Sequence, residues 1–188
     1  MLITVSLHGS CAGEKAAPDP FTAIPDACEL VSPQTTQEIV GGAPGEGRSA
    51  NSKSKSCQWQ YRPDKIPDPP VQGVAPYRQG LSVSVFLHEK PSGQDELSGV
   101  ALAQDVFSRE RNNKGMADKG TIGGLGDEAY GSFDDRNGTI NFRTGNVTVE
   151  LRYEGNGISQ QGTTGLGRDA IQAALTTASN DVNQHLQK

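Results

Sequence analysis

Apolar and polar residues alternate along several stretches of the chain, and this period of two predicts β-strands. The predicted strands cover residues 57–62, 81–88, 127–133, 139–144 and 147–153. In the first of them Cys57, Trp59 and Tyr61 fall on one face, as expected of a half-buried strand. Turns at residues 135–138, which contain an Asn-Gly pair, and at 145–146 separate the last three strands. Such tight turns predict an antiparallel sheet.

Three other stretches have the spacing of amphipathic helices, at residues 33–40, 95–112 and 168–187. Ser32 is suited to cap the first helix, Pro33 to its first turn and Gly41 to its end. The last helix has the clearest apolar stripe: Ile171, Ala174, Leu175, Ala178, Val182 and Leu186. The order of elements predicts one α+β domain over residues 20–188, with an antiparallel sheet of about five strands packed against about three helices.

Three segments between these elements are rich in glycine, proline or polar residues and predict irregular structure. Residues 42–56 predict a polar loop, 63–76 a long proline-rich connection and 115–126 a glycine-rich loop. Long irregular loops more often serve a function than merely connect two elements. We therefore expect a ligand-binding cleft between sheet and helices, bordered by the proline-rich and glycine-rich loops.

The N-terminal residues are similar to the end of a bacterial lipoprotein signal peptide. Residues 1–7 are mostly apolar, and Gly9 and Ser10 precede Cys11. In such signals the thiol of this cysteine carries the lipid, and we therefore expect lipidation of Cys11. Residues 1–19 would then be a truncated signal remnant followed by a flexible tether. The alternative is an ordinary N-terminus with an incidental cysteine.

The other cysteines support a location outside the cytoplasm. If Cys11 is lipidated, Cys28 and Cys57 remain and can form one disulfide. The loop that this bridge closes would stabilise the fold by roughly 3.5 kcal/mol in the chain-entropy model. A cytosolic protein would instead carry three unpaired thiols, without the C-x-x-C spacing of a metal site.

Composition excludes several classes of function. The chain has 188 residues and a net charge of −5, so it lacks the basic footprint of a nucleic-acid-binding protein. It contains no run of about 18 apolar residues that could span a membrane. We expect a monomer whose partner is an unknown small ligand or envelope protein.

Cofactor and metal motifs are weak. Residues 165–170 have the letters of a dinucleotide-binding turn, but no buried strand precedes them and the chain ends before an acidic ribose ligand could follow. They favour a simple helix start. The histidines His8, His88 and His185 lack the spacing of a metal site or a catalytic triad. We expect no metal, no cofactor and no catalytic residue.

Two pairs of neighbouring carboxylates keep an enzymatic alternative open. Asp127 with Glu128, and Asp134 with Asp135, could serve acid–base catalysis in a secreted hydrolase. The first pair adjoins a glycine-rich loop and the second a turn, where solvated acids are common. Solvated carboxylates are therefore the favoured interpretation.

Three short motifs occur in a recognisable order. Asp26-Ala27-Cys28 precedes the first helix, Cys57-Gln58-Trp59 opens a strand, and a Gly-Leu-Gly-Asp-Glu-Ala stretch occupies residues 124–129. This set resembles a domain family of unknown function among secreted actinobacterial lipoproteins, which usually has proline in place of Ala27. The resemblance covers about residues 20–186. It implies a lipid-anchored envelope protein with one disulfide, and it supplies no catalytic residues.

Together these observations predict a non-enzymatic module of the cell envelope. The lipobox-like Cys11, the tether that follows it and the expected disulfide point to an extracytoplasmic protein held at the membrane by a lipid. The absence of a catalytic constellation favours the binding of a ligand or a protein partner over a reaction.

Overall fold

One antiparallel sheet dominates the computed structural model, which describes residues 17–90, 92–93, 97–113 and 120–188. Among these residues the chain forms three helices: α1 (Pro33–Val40), α2 (Gly99–Asn113) and α3 (Arg168–Leu186). It also forms eight strands: β1 (Gly45–Asn51), β2 (Ser54–Tyr61), β3 (Ala75–Leu87), β4 (Gly120–Thr121), β5 (Glu128–Phe133), β6 (Asn137–Thr144), β7 (Val147–Ser159) and β8 (Gly162–Gly165).

The strands of the described chain lie in the order β1-β2-β3-β7-β6-β5-β4, and β8 pairs with β7 outside this order. Their pairings are antiparallel. The predicted α+β class, with its antiparallel sheet and three helices, is confirmed. The expected number of about five strands is wrong, because β1, β4 and β8 show no apolar alternation that would reveal them.

The polar segment 42–56, for which the sequence predicts a loop, contains β1 and the start of β2. Every residue of β1 is exposed, so backbone pairing with β2 holds the strand in place. Gly45 lies opposite Trp59, and a Cβ at Gly45 would come within 2.6 Å of the Trp59 indole nitrogen. The glycine therefore lets the tryptophan ring lie against the edge strand.

The hairpin between β5 and β6 turns earlier than its Asn-Gly pair suggests. Asp134 accepts hydrogen bonds from the backbone N–H groups of Arg136 (2.7 Å) and Asn137 (2.8 Å), so the turn lies before the pair. Gly138 is inside β6, where a Cβ would be 2.5 Å from Leu175 and 2.7 Å from Ile171. Close packing of α3, and not turn geometry, requires this glycine.

The hydrophobic core lies between one face of the sheet and the helices α1 and α3, and we call this the covered face. Its fully buried side chains come from both layers: Val40, Leu81, Val83, Val85, Ile140, Phe142, Leu151, Ile171, Leu175 and Val182. Burial of apolar surface on this scale is the main stabilising contribution to a fold of this kind. The alternating residues of β3, β6 and β7 supply the sheet side of the core.

A disulfide joins Cys28 to Cys57, which confirms the predicted pairing. It ties the segment before α1 to β2 across a separation of 29 residues. A disulfide fits an extracytoplasmic location. In the described part of the chain no helix combines the length and the apolarity needed to cross a membrane.

Polar contacts fix the start of α1 against α3. Ser32 caps α1, because its hydroxyl accepts a hydrogen bond from the backbone N–H of Thr35 (3.2 Å). The backbone N–H of Ser32 in turn donates to the Asp181 carboxylate on α3 (2.8 Å). Gly41, in the left-handed conformation (φ 62°), ends the helix as the sequence predicts.

A buried asparagine in the turn between β6 and β7 holds the N-terminal segment. The Asn146 amide accepts from the backbone N–H of Phe21 (3.0 Å) and donates to the carbonyls of Phe21 (2.9 Å) and His88 (3.0 Å). Nearby, the Asp19 carboxylate accepts from the first N–H groups of α2, at Gly99 and Val100. Together with Ser98, whose hydroxyl accepts from the backbone N–H of Ala101 (3.1 Å), this carboxylate caps α2, which begins at Gly99 and not at residue 95 as predicted.

Candidate functional site

The face of the sheet opposite α1 and α3, which we call the open face, carries a groove of about 470 Å³. The groove crosses β2, β3, β7 and β6. Successive side chains of a strand point to opposite faces, so the groove is lined by the residues that alternate with the core positions. Its volume is within the range of small-molecule sites.

The strand register places the groove residues in two rows across the sheet. The floor row consists of Gln60, Gly80, Glu154 and Asn137. The next row consists of Gln58, Ser82, Arg152 and Thr139. Each row takes one residue from each of the four strands, so amide, hydroxyl and charged groups from distant parts of the sequence meet in one place.

Gly80 forms the floor of the groove for no evident structural reason. Its φ is not positive, and the nearest neighbour of a Cβ built there would be the Trp59 carbonyl oxygen at 3.9 Å. Glycine within a strand reduces stability by roughly 0.5–1 kcal/mol relative to alanine. Such a glycine often marks a place where another molecule approaches the backbone closely.

Positive charge exceeds negative charge in the groove, in contrast to the acidic chain as a whole. Three arginines (Arg62, Arg78 and Arg152) and one glutamate, Glu154, line it. The Arg152 guanidinium donates from Nε to Glu150 (2.8 Å), and this contact raises the pKa of Arg152 further. Arg78 lies over the Tyr77 ring, 4.9 Å from its centroid.

A smaller cavity of about 150 Å³ lies further along the open face, where α2 covers the sheet. Phe107 of α2 packs against the Tyr130 ring with centroids 5.0 Å apart. Burial raises the pKa of Tyr130 to about 12, and the charges of Glu110 and Glu150 add to this shift. The phenol therefore stays neutral at physiological pH.

The first predicted carboxylate pair neutralises a buried arginine. The Arg143 guanidinium, with a side chain only 9% exposed, donates to Asp127 and to Glu128, each at 2.8 Å. Asp127 also accepts from the backbone N–H of Gly145. Removing one partner of a buried ion pair is strongly destabilising, so this arrangement has a structural role.

The second carboxylate pair lies in the exposed β5–β6 turn. Hydrogen bonds from the backbone N–H groups of Arg136 and Asn137 lower the pKa of Asp134 below its usual range. The carbonyl of the exposed Asp135 accepts from the N–H of Gly167 (3.0 Å), the residue before α3. Gly167 has a φ of 95°, so the glycine-rich 165–170 motif is the helix start that the sequence favours.

The histidines do not meet in the described part of the chain. His88 contacts the Thr148 hydroxyl (3.0 Å), and burial lowers the pKa of His88. His185 lies on α3 beside Asp181. Among the described residues no three His, Cys, Asp or Glu side chains are placed to hold a metal ion. His8 and Cys11 lie outside the described residues.

The groove differs in position from the expected cleft between sheet and helices. It lies on the open face, and Arg62 at its end immediately precedes the proline-rich connection. Residues 115–119 of the predicted glycine-rich loop lie outside the described chain, and residues 120–121 of it form β4. Apolar–polar alternation does not reveal Arg78 and Gly80 as site residues, because β3 begins at Ala75, within the predicted connection.

Comparison of the chain with protein-family models, with curated proteins and with solved structures finds no match.

Proposed function

We propose that this protein is an extracytoplasmic binding module that holds a small polar ligand in the groove of the open face and performs no catalysis. One observation carries the proposal. Gly80 leaves an open floor in the middle of a long central strand, between polar side chains from three other strands. A ligand in close contact with the backbone accounts for this arrangement.

The proposed location combines two kinds of support. The disulfide between Cys28 and Cys57 fits an oxidising compartment. The signal-like sequence before Cys11, and the motifs that resemble those of secreted actinobacterial lipoproteins, favour a lipid anchor at that cysteine. We therefore propose that the domain is held at the outer surface of the cell membrane by lipidated Cys11.

The binding proposal is tested by NMR of the ¹⁵N-labelled protein. A panel of monosaccharides, sugar acids, amino acids and nucleosides is titrated at millimolar concentration. At least one class is expected to shift the backbone amides of the groove strands. Gly80→Val should abolish these shifts, because its side chain projects into the groove and suits a strand.

Ser49→Val is the matched control, because it adds the same side chain to the exposed strand β1 outside the groove. It should leave the shifts unchanged. Absence of groove shifts with every class, or shifts that persist in Gly80→Val, would overturn the proposal.

The anchor is tested by intact mass of the protein isolated from the membrane fraction of its own host. A diacylglycerol adduct on Cys11 and a mass two hydrogens below the reduced value are expected. Cys11→Ser should move the protein to the soluble fraction while keeping the disulfide. An unmodified chain that begins at Met1 would contradict the anchor and leave the groove proposal intact.

A further inference from the structure

The two ends of the groove differ in how their positive charges are balanced. At one end Arg152 is paired with Glu150. At the other end Arg62 and Arg78 line the groove, and within the described chain neither forms an ion pair with a carboxylate. Two cationic side chains without a carboxylate partner therefore lie at this second end, and Glu154 of the floor row is the acidic residue that lines the groove.

The register brings these two arginines to neighbouring positions. Tyr61, the last residue of β2, pairs with Gln79. Arg62 is the next residue of the chain, and the same register places it opposite Arg78. Like charges at facing positions of adjacent strands are destabilising. Arg78 is further fixed by its stacking on Tyr77 and its hydrogen bond to the Tyr77 hydroxyl (3.2 Å). Two guanidinium groups at neighbouring positions, one of them held in place, suit a carboxylate or phosphate group.

The middle of the groove offers hydrogen-bonding groups without internal partners. Within the described chain, the side chains of four groove residues form no hydrogen bond to other protein groups: Gln58, Gln60, Ser82 and Thr139. Amides and hydroxyls both donate and accept, as do the hydroxyl groups of a polyol. Glu154 beside Gly80 adds an acceptor.

We propose that the groove binds a small polyhydroxylated anion, an inference that rests on the proposed function. Arg62 and Arg78 bind its carboxylate or phosphate group. The amide and hydroxyl side chains around Gly80 form hydrogen bonds with its hydroxyl groups. The Arg78 and Ser82 rows are four residues apart along β3, or about 13 Å. This length accommodates one sugar ring with a charged substituent.

The test compares three probes by NMR titration of the full chain: glucose, glucuronate and glucose 6-phosphate. At least one anion is expected to bind about tenfold more tightly than glucose, the gain typical of a charge-assisted hydrogen bond. This preference should shrink as salt is raised, because the arginines are exposed to solvent. The relative affinities of glucuronate and glucose 6-phosphate identify carboxylate or phosphate as the preferred group.

Arg62→Gln and Arg78→Gln should each weaken binding of the preferred anion about tenfold and weaken glucose binding much less, because glucose has no charged group. Arg48→Gln on the exposed strand β1 is the matched control and should change neither affinity. Amide spectra that superimpose away from the substitution show that each variant is folded.

Equal affinity for glucose and both anions would overturn this inference while leaving the groove as a binding site. Anion affinity that survives both arginine substitutions would also overturn it. If none of the three probes binds, the inference fails, and the wider panel described above decides the proposed function separately.

Discussion

The two faces of the sheet differ sharply in chemistry, although the same strands supply both. On the covered face Leu81, Val83 and Leu151 are at most 1% exposed and pack beneath the helices. On the open face their neighbours Ser82 and Arg152 line a polar groove. A single long strand such as β7 therefore contributes to stability on one side and to a candidate binding surface on the other.

This contrast implies that substitutions at adjacent positions have very different effects. A change on the covered face acts on packing, where even one lost methylene group affects stability. A change on the open face acts mainly on what the groove can bind.

The largest effect is expected for Leu151→Ala, which leaves a cavity in the core. It should lower the free energy of unfolding by about 3–5 kcal/mol in urea titrations. The adjacent Arg152→Ala on the open face should change it by less than about 1 kcal/mol. Equal losses at the two positions would remove the distinction between the faces.

Loss of the disulfide, whose Cys57 belongs to the covered face, should have the next largest effect. The double substitution Cys28→Ser and Cys57→Ser is expected to lower the free energy of unfolding by about 3.5 kcal/mol. Cys11→Ser should leave stability unchanged, because Cys11 takes no part in the bridge. Unaltered stability of the double variant in denaturant titration would contradict a stabilising role for the bridge.

Two strand glycines face opposite sides of the sheet, so alanine at each of them should have opposite effects on stability. Gly138→Ala should destabilise the protein by about 1–3 kcal/mol, because the new methyl group meets Leu175 and Ile171. Gly80→Ala should stabilise it by about 0.5 kcal/mol, because its Cβ meets open space. Thermal unfolding of the two variants measures whether each substitution raises or lowers the stability of the protein. Destabilisation by Gly80→Ala would show that packing requires this glycine.

A smaller loss of stability than that of Gly138→Ala is expected from a polar contact within the helical layer of the covered face. Burial tends to raise the pKa of Asp181, but hydrogen bonds from Thr35 and Ser32, with the charge of His185, outweigh it and lower the pKa. The ionised carboxylate therefore stabilises the fold above the unfolded-state pKa of about 4, and this contribution is lost as pH falls through the lower folded-state pKa.

Asp181→Ala should accordingly lower the free energy of unfolding by about 1 kcal/mol at neutral pH. The difference from the unsubstituted protein should narrow on acidification. Asp64→Ala, at an exposed loop position, is the control and should leave the free energy of unfolding at neutral pH unchanged. A difference that grows towards low pH would contradict the lowered pKa.

The sequence predicts the covered face well, because burial leaves a regular trace in the order of residues. The stripe on α3 and the alternation in β7 both mark residues that are buried in the fold. β1 leaves no such trace, since its residues are all exposed and only its backbone is paired. Pro76 hides the start of β3, because proline in a strand is normally confined to its first residues or to a bulge.

The groove could not be assembled from the sequence for a different reason. Alternation shows that Ser82 points away from the core, but it does not show that Gln58 and Arg152 are its neighbours. Those neighbours follow from strand order and register, which depend on contacts far apart in the chain. Similarly, no spacing rule indicates that Asp127 and Glu128 both bind Arg143.

The hydrogen bonds of the buried Asn146 amide determine which end of the sheet the N-terminal segment contacts. Because it holds Phe21, the described chain enters the fold at the β6–β7 turn. Glu154 in the groove lies eight residues further along β7, about 26 Å away. If the N-terminal segment were attached to a surface, the end of the domain at the β6–β7 turn would face that surface. The groove would then lie towards the opposite end of the domain and face the surrounding medium.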